Sequence, residues 1–441
     1  MNQFNLLNTK RFAPLFSTQF LGALNDNIYK NALIIFIAFT LASQADRNSS
    51  ILVIIAAGLF ILPFFLFSAI AGQIADKFEK SMLIRRIKIA EICIMLFAVI
   101  GFVKLSLPIL MVVLFLMGMQ SSLFGPLKYG ILPQHLDESE LTGGNGMIQM
   151  GTYLAILLGT ILGGVLISIK PEGTYYVSLI VISVALCGWW ASRYIPFAEP
   201  AESTLKINWN FITETWRIVH YARENRTVFW SIIAISWFWF YGATFLYLVP
   251  SYTRDVLNGN EHVTTLLLAA FSVGIGTGSL MCEKLSGKRI EMGLVPIGAV
   301  GLSIFAIDLF MTGVPNQEVL AGISIMNLSI FLQNIDSWRV LIDLSLIGMF
   351  GGIYIVPLYA LVQNRCSKNR RSRIIAANNI INALFMVISA LMTIYLLSVD
   401  VGITGIFLIV ALLNVVVAVI VFTRIPEFFH RTLLMARLRQ E

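Results

Sequence analysis

The 441-residue sequence contains few charged residues. Only 12% of its residues are Asp, Glu, Lys or Arg, whereas a soluble globular domain has about 25%. Apolar residues make up 57% of the chain, and the mean hydropathy is +0.81. This composition excludes an ordinary soluble enzyme and a disordered chain, and it predicts a membrane protein.

Several chemical signals are also missing from the sequence. The four cysteines are not spaced for a disulfide framework or a zinc site. The sequence has no phosphate-binding loop for ATP, no His-Glu-x-x-His and no Gly-x-Ser-x-Gly. We therefore predict a protein that is not an enzyme and needs no metal and no cofactor.

Apolar stretches long enough to cross a bilayer as helices recur along the chain. We predict twelve spans, at about 12–42, 51–75, 84–104, 107–127, 142–168, 174–196, 228–252, 263–283, 292–312, 339–363, 374–398 and 402–424. With both termini in the cytoplasm, 25 of the 31 basic residues fall on the cytoplasmic side. The net charge of +7 is then a topology signal, and no nucleic-acid partner is expected.

The sequence divides near its middle at a hydrophilic stretch. We predict a six-helix half over 1–196, a cytoplasmic linker over 197–227, a second six-helix half over 228–424 and a basic cytoplasmic tail over 425–441. The segments 124–136 and 355–367 have the same layout, as expected for parallel repeats of a transporter. The apolar segment 319–333 is interrupted by polar residues and predicts a helix lying on the outer membrane surface.

The first predicted span carries an unusual run of polar residues. Asp26 and Lys30 are four residues apart, so they share one helix face and could form an ion pair. One interpretation is a structural polar seam; the other is a cavity face that meets a charged or zwitterionic head group. The candidate substrate-binding residues are Gln19, Asn25, Asp26, Asn27, Lys30, Gln120, Asn145 and Asn378.

A basic loop follows the second predicted span. Its residues Gly72, Asp76, Lys77 and Lys80 fit the pattern Gly-x-x-x-Asp-[Arg/Lys]-x-Gly-[Arg/Lys]-[Arg/Lys], except that Glu79 stands in place of the second Gly. This pattern resembles the signature loop of the major facilitator superfamily. The resemblance implies a conformational latch; without it, the loop is a plain positive-inside loop. In the third span, Lys88 and Glu91 are spaced for an ion pair rather than a proton site.

A more specific resemblance rests on three segments of the first half. They are QFLGALNDN at 19–27, GQIADKFEK at 72–80 and FGPLKYGIL at 124–132, which contains the motif residues Pro126, Lys128, Tyr129 and Gly130. Together they resemble the lysophospholipid transporter family of the major facilitator superfamily. The resemblance implies an all-α polytopic membrane protein with twelve transmembrane helices in two six-helix halves.

The resemblance also implies a function. It is the movement of lysophospholipids, such as lysophosphatidylethanolamine, from the outer to the inner leaflet of the bacterial inner membrane. An acyltransferase/acyl-ACP synthetase, as a partner or a fused domain, then re-acylates them. Asp26 occupies the family's acidic position, whereas the arginine expected in helix 7 is absent from 239–250, which leaves Lys30 as its replacement. The alternatives are a transporter of a polar solute (sugar, peptide or drug) and a membrane docking module for an acyltransferase.

Overall fold

The computed structural model describes residues 3–37, 48–169, 171–312 and 326–438. Helices account for most of these ranges, and no β-strand occurs within them. The predicted all-α class is therefore confirmed. Residues 38–42 of the first predicted span and 319–325 of the predicted surface segment lie outside the described residues.

Six long helices precede the central linker, and each overlaps a predicted span. They are α1 (Ala13–Phe36), α2 (Asn48–Lys77), α3 (Lys80–Val103), α4 (Leu107–His135), α5 (Glu138–Ser168) and α6 (Gly173–Ser192).

The described residues of the linker, the second half and the tail contain six more long α-helices and three short ones. In chain order they are α7 (Phe211–Glu224), α8 (Arg226–Ser251), α9 (Glu261–Leu285), α10 (Leu294–Thr312), α11 (Leu328–Gln333), α12 (Ile335–Arg365), α13 (Arg371–Ser398), α14 (Ile403–Arg424) and α15 (Pro426–Leu438).

Ten helices among the described residues are long and apolar enough to cross a membrane. The long helices α1 and α3 are not among these ten, and they carry ionisable groups in their interiors, including Asp26 and Lys30 in α1 and Lys88 and Glu91 in α3. The chain is a multi-pass membrane protein, and the crossing of the membrane by α1 and α3 stays a prediction.

The helix α4 extends further than its predicted span. The prediction ended near residue 127, but the helix continues to His135, so the whole motif at 126–130 is helical. Its counterpart in the repeat, α12, likewise passes Pro357 and ends at Arg365. The two echoing segments thus adopt the same local structure.

Two compact units make up the chain. One contains Met1–Asp137, Leu154–Asn225 and Gln363–Ala383, and the other contains Glu138–Tyr153, Arg226–Val362 and Leu384–Glu441. The start of α13 therefore belongs with the first six long helices, whereas the start of α5 belongs with the later ones. The predicted division at 197–227 stays a prediction.

Glycines set the close approach of α9 and α12 within the second unit. A methyl group on Gly278 would overlap the main-chain carbonyl of Met349, and one on Gly348 would overlap that of Phe271. Small residues allow such close main-chain contact between membrane helices, where interhelical packing replaces much of the hydrophobic effect. Gly278 and Gly348 therefore let the main chains of α9 and α12 pack directly against each other.

The linker contains a helix that the sequence reading did not anticipate. Asn210 caps α7, because its Oδ1 accepts hydrogen bonds from the main-chain nitrogens of Ile212 and Thr213 at 3.1 and 3.2 Å. The segment predicted as the tail contains α15, and α11 occupies the described end of the predicted surface segment.

Candidate functional site

Asp26 and Lys30 lie half-buried on one face of α1. The Oδ2 atom of Asp26 accepts a hydrogen bond from the Ser121 hydroxyl in α4 at 2.7 Å. The Nζ atom of Lys30 lies 4.6 Å from the centroid of the Phe60 ring in α2. Each charged group therefore has its own neutral partner, in place of the direct ion pair that their spacing allows.

A buried ion pair lies beside this face. Lys88 Nζ donates to Glu91 Oε2 at 2.5 Å, and both side chains are almost fully buried. The amide of Asn25 donates to Glu91 Oε1 at 3.0 Å, and the amide of Gln120 donates to Glu91 Oε2 at 3.1 Å. The predicted pair is confirmed, and its hydrogen bonds give Asn25 and Gln120 a structural role.

One hydroxyl group lies between the buried pair and Asp26. Ser121 Oγ lies 2.7 Å from Asp26 Oδ2 and 3.2 Å from Gln120 Oε1. A serine hydroxyl has a single hydrogen, so it donates fully to one acceptor at a time, and the shorter contact is that with Asp26. The Ser121 hydroxyl thus lies between the two groups and links to the Gln120 amide beside the buried pair only when its hydrogen turns away from Asp26.

The remaining predicted binding residues are buried. Asn27 and Asn145 each donate to a carbonyl oxygen four residues earlier in their own helix, at 2.7 and 2.9 Å. Gln19 is 2% exposed, and Asn378 is 1% exposed with both amide atoms lacking a hydrogen-bond partner among the described residues. Asn145 belongs to the second unit and the other predicted binding residues to the first.

The signature-loop aspartate caps a helix from the other half of the sequence. Asp76 is fully buried and accepts hydrogen bonds from the main-chain nitrogens of Ser372 and Arg373, at 3.0 and 3.3 Å, and from Arg373 Nε at 3.0 Å. A carboxylate is favoured at a helix N-terminus by the unpaired N–H groups and the helix dipole. Glycine is required at position 72, because a Cβ atom there would lie 2.8 Å from Arg373 Cα and Ala376 Cβ.

The two predicted lysines of this loop differ in their surroundings. Lys77 is half-buried, with its Nζ 5.7 Å from the centroid of the Phe78 ring. Lys80 is 1% exposed, and its Nζ has no hydrogen-bond partner within the described ranges. The structure therefore places Lys77 at the surface of the loop and Lys80 inside the first unit.

Glu79 replaces the usual glycine because it caps α3. Its carboxylate accepts hydrogen bonds from the main-chain nitrogens of Ser81, Met82 and Ala198 at 2.8, 2.6 and 2.9 Å. Burial acts to raise the pKa of this carboxyl, but the hydrogen bonds outweigh burial and hold the pKa below its usual value. The departure from the signature pattern thus fastens the loop to the end of α6.

The motif of α4 lies next to the same loop. A Cβ atom on Gly130 would be 2.9 Å from Ser372 Oγ, so the main chain of α4 closely approaches the start of α13. Lys128 Nζ lies 4.5 Å from the centroid of the Tyr129 ring, and Pro126 is buried within the helix. The motif therefore belongs to the packing around Asp76 and is separate from the contacts of Asp26.

Sequence reading missed three residues that complete these two sites. Ser121 was one of several hydroxyl residues in apolar spans, and nothing in its spacing indicated a partner. Ser372 and Arg373 fell in a basic loop that was interpreted as a topology signal alone. The position of Arg373 at the start of a predicted span was the available signal for a helix-capping partner.

Known protein families were compared with this sequence to identify its relatives. The family model described as "Major Facilitator Superfamily" matches residues 15–335. The chain belongs to the Major Facilitator Superfamily. Two relatives named "Lysophospholipid transporter LplT" are each 28% identical to it. The protein from Escherichia coli O1:K1 / APEC aligns over 379 residues and 82% of each chain, and that from Enterobacter sp. (strain 638) over 371 residues and 81% of each.

Two solved structures have folds similar to that of this chain. The human organic anion transporter MFSD10 (TETRAN) has a TM-score of 0.68 at 12% identity, covering 92% of this chain and 99% of its own. A bacterial homologue of the iron transporter ferroportin, in an outward-facing state, has a TM-score of 0.64 at 15% identity, covering 93% and 98%. At these identities the likeness concerns the fold alone.

The seventh long helix of this superfamily member, α8, is uncharged through residues 227–251. Two of its indoles donate to neutral groups: Trp237 Nε1 to Asn414 Oδ1 at 2.8 Å, and Trp239 Nε1 to the Tyr359 hydroxyl at 3.2 Å. The arginine expected in helix 7 thus has no charged substitute within α8. Lys30 in α1 remains the predicted replacement.

Proposed function

We propose that this protein transports lysophospholipids, such as lysophosphatidylethanolamine, from the outer to the inner leaflet of the bacterial inner membrane. The observation that carries the proposal is the alignment with relatives named lysophospholipid transporters, which extends over about four fifths of both chains. An alignment of this extent reaches into both halves of the chain and is not confined to one shared segment.

The polar face of α1 supports a zwitterionic substrate. Asp26 and Lys30 carry opposite charges one helical turn apart, and both are half-buried. In the proposed complex, Asp26 accepts from the ammonium group of the ethanolamine head, and Lys30 binds the phosphate. Charge-assisted hydrogen bonds of this kind are strongest where water is scarce, which offsets the cost of placing ionisable groups within a span.

The Asp76 cluster consists of Asp76 with its neighbours Gly72, Ser372 and Arg373. This cluster is proposed to act as the conformational latch. Asp76 holds the first turn of α13 through three hydrogen bonds, and Gly72 lets α2 approach that turn closely. Lys77 and Lys80 keep the loop at the cytoplasmic side. Movement of α13 during transport breaks these hydrogen bonds, and return to the described state restores them.

The cellular setting follows from the same proposal. With both termini in the cytoplasm, the transporter delivers lysophospholipid to the leaflet in which re-acylation takes place. An acyltransferase/acyl-ACP synthetase, as a separate partner or a fused domain, consumes the delivered lipid. The basic tail and α15 are placed on the same cytoplasmic side.

Reconstitution into liposomes tests the function. Labelled lysophosphatidylethanolamine is placed in one leaflet, and albumin extraction reports how much remains in the outer one. Wild-type protein moves the lipid across, whereas Asp26→Ala and Lys30→Ala abolish or strongly reduce the movement. Asp336→Ala is the matched control, because it removes an exposed acid at the start of α12 and leaves transport unchanged.

Three results contradict parts of this proposal. Uptake of a soluble sugar or peptide without movement of lysolipid favours the polar-solute transporter. Binding of an acyltransferase without any transport favours the docking module. Full transport by Lys30→Ala removes the assigned role of Lys30 and leaves the role of Asp26 to be judged by its own variant.

A further inference from the structure

One face of α7 is fixed to the first unit. Glu214, Ile218 and Ala222, spaced by four residues, are buried. Just before the helix, Asn208 exchanges two hydrogen bonds with Gln73 of α2: its main-chain nitrogen donates at 2.8 Å, and its carbonyl oxygen accepts at 2.9 Å. These contacts fix the orientation of α7 within the first unit, and they identify the face that lies opposite Glu214, Ile218 and Ala222.

The opposite face exposes large apolar side chains. Ile212 and Trp216 of α7 are 56% and 70% exposed, and Trp209, which directly precedes the N-cap residue of the helix, is 69% exposed. They do not belong to any of the ten apolar span candidates. An indole ring with its N–H group is best accommodated at a membrane interface, where the ring meets lipid and the N–H meets water.

Exposed basic side chains outnumber exposed acidic ones around this face. From residue 203 to residue 225, the exposed ionisable side chains are Lys206, Arg217, His220, Arg223 and Glu224. The exposed acid, Glu224, is paired with Arg370, and the buried acid, Glu214, is paired with Arg217. Basic residues flanking apolar side chains on a helix are complementary to an anionic lipid surface. A neutral membrane offers the apolar contact without this complementarity.

The same helix contacts the arginines at the start of α13. The Tyr221 ring centroid lies 4.3 Å from Arg370 Cζ and 5.7 Å from Arg373 Cζ, and Arg370 Nη1 lies 3.2 Å from both carboxylate oxygens of Glu224. Arg373 is also a donor to Asp76. Fixing α7 in place therefore fixes one side of the Asp76 cluster.

We propose that the exposed face of α7 binds the anionic phospholipid surface of the membrane, and that Tyr221 and Glu224 thereby hold the arginines beside Asp76. Anionic lipid is then a structural ligand of the latch. The exposed face of α7 is separate from the face of α1 that carries Asp26 and Lys30. The proposal therefore does not depend on which substrate is transported.

Amide hydrogen exchange in lipid nanodiscs tests the proposal on the whole protein. Wild type is compared in neutral phosphatidylcholine and in phosphatidylcholine mixed with anionic phosphatidylglycerol. Anionic lipid is expected to slow exchange severalfold in residues 209–220 and in the first turn of α13. In the double variant Trp209→Ser, Trp216→Ser the slowing is lost, whereas the control Trp338→Ser, which removes an exposed indole in α12, retains it.

The wild-type comparison requires no substitution, so it decides the matter even if the double variant folds poorly. Equal exchange in the two nanodiscs, or an unchanged lipid effect in the double variant, overturns the proposal. A lipid effect on α7 without one on α13 overturns the link to the latch. Exchange does not report transport, so either result leaves the substrate assignment to the liposome assay.

Discussion

The two units stabilise their helix bundles with different kinds of buried polar network. In the first unit the network is ionic, with Lys88 and Glu91 paired and hydrogen-bonded to neighbouring amides. The second unit has a neutral network around Asn414, which accepts from Trp237 Nε1 and donates to Ser303 Oγ and to the carbonyl of Ala299, at 2.8 to 2.9 Å.

The two networks differ in what their burial costs. A neutral amide is satisfied by two or three hydrogen bonds, so it ties helices together at modest cost. A buried ion pair costs far more to desolvate, and removing one partner leaves a charge without compensation. The first unit carries this cost next to Asp26, which is the region proposed to meet the substrate.

The largest expected effect comes from breaking the ionic network. Glu91→Leu leaves Lys88 as an unpaired buried charge, and we expect a loss of about 3 to 5 kcal/mol in the free energy of unfolding. Denaturant unfolding in detergent micelles measures it. The double variant Lys88→Met, Glu91→Leu is the control and recovers most of the loss; a double variant as unstable as the single one contradicts this account.

The Asp76 cluster should come next in size. Asp76→Ala removes a carboxylate that accepts three hydrogen bonds, and hydrogen bonds to charged groups contribute about 1.5 to 3 kcal/mol. Exchange of the Ser372 and Arg373 amides is expected to accelerate strongly. Asp255→Ala breaks an exposed pair with Arg254 and should leave these amides unchanged. Unaltered exchange in Asp76→Ala contradicts the assigned capping role.

The neutral network should respond less. Asn414→Leu removes the acceptor of Trp237 and two donors, and we expect a loss of roughly 1 to 2 kcal/mol, measured by the same unfolding assay. A loss equal to that of Glu91→Leu would erase the contrast between the two units.

The smallest effect concerns pH and the cap of α3. The pKa of Glu79 is lower in the folded protein than its ordinary value of 4.5, so its stabilisation is present above that value and is lost as the pH falls through the lowered one. Melting temperature against pH should therefore fall in this acid range for wild type and less steeply for Glu79→Gln. Identical profiles contradict the cap.

Most of the helices could be predicted from the sequence because long apolar runs force the main chain to satisfy its own hydrogen bonds. The ionic pair was also predictable, because Lys88 and Glu91 are three residues apart. The partner of Asp76 was not, since Arg373 follows it by 297 residues and only the fold brings the two together.

The α7 helix shows a different limit. Few of its side chains are buried, and its exposed aromatic residues stand among polar ones. The segment is therefore hydrophilic on average, and the sequence predicted a linker there. The sequence offered only the apolar spacing of Ile218 and Ala222 as a signal, because the third residue of the buried face, Glu214, is ionisable. The spatial neighbours of that face, in α2 and α13, come from distant parts of the chain and could not be inferred.

Substrate selectivity of Asp26→Asn tests the central claim most directly. The variant keeps the size and one acceptor of the side chain but loses its charge. In liposomes, it should move zwitterionic lysophosphatidylethanolamine about tenfold more slowly than wild type, with a smaller loss for anionic lysophosphatidylglycerol, which has no ammonium group. Equal losses for the two lipids, or no loss for either, would contradict the role of Asp26 as the partner of the ammonium group.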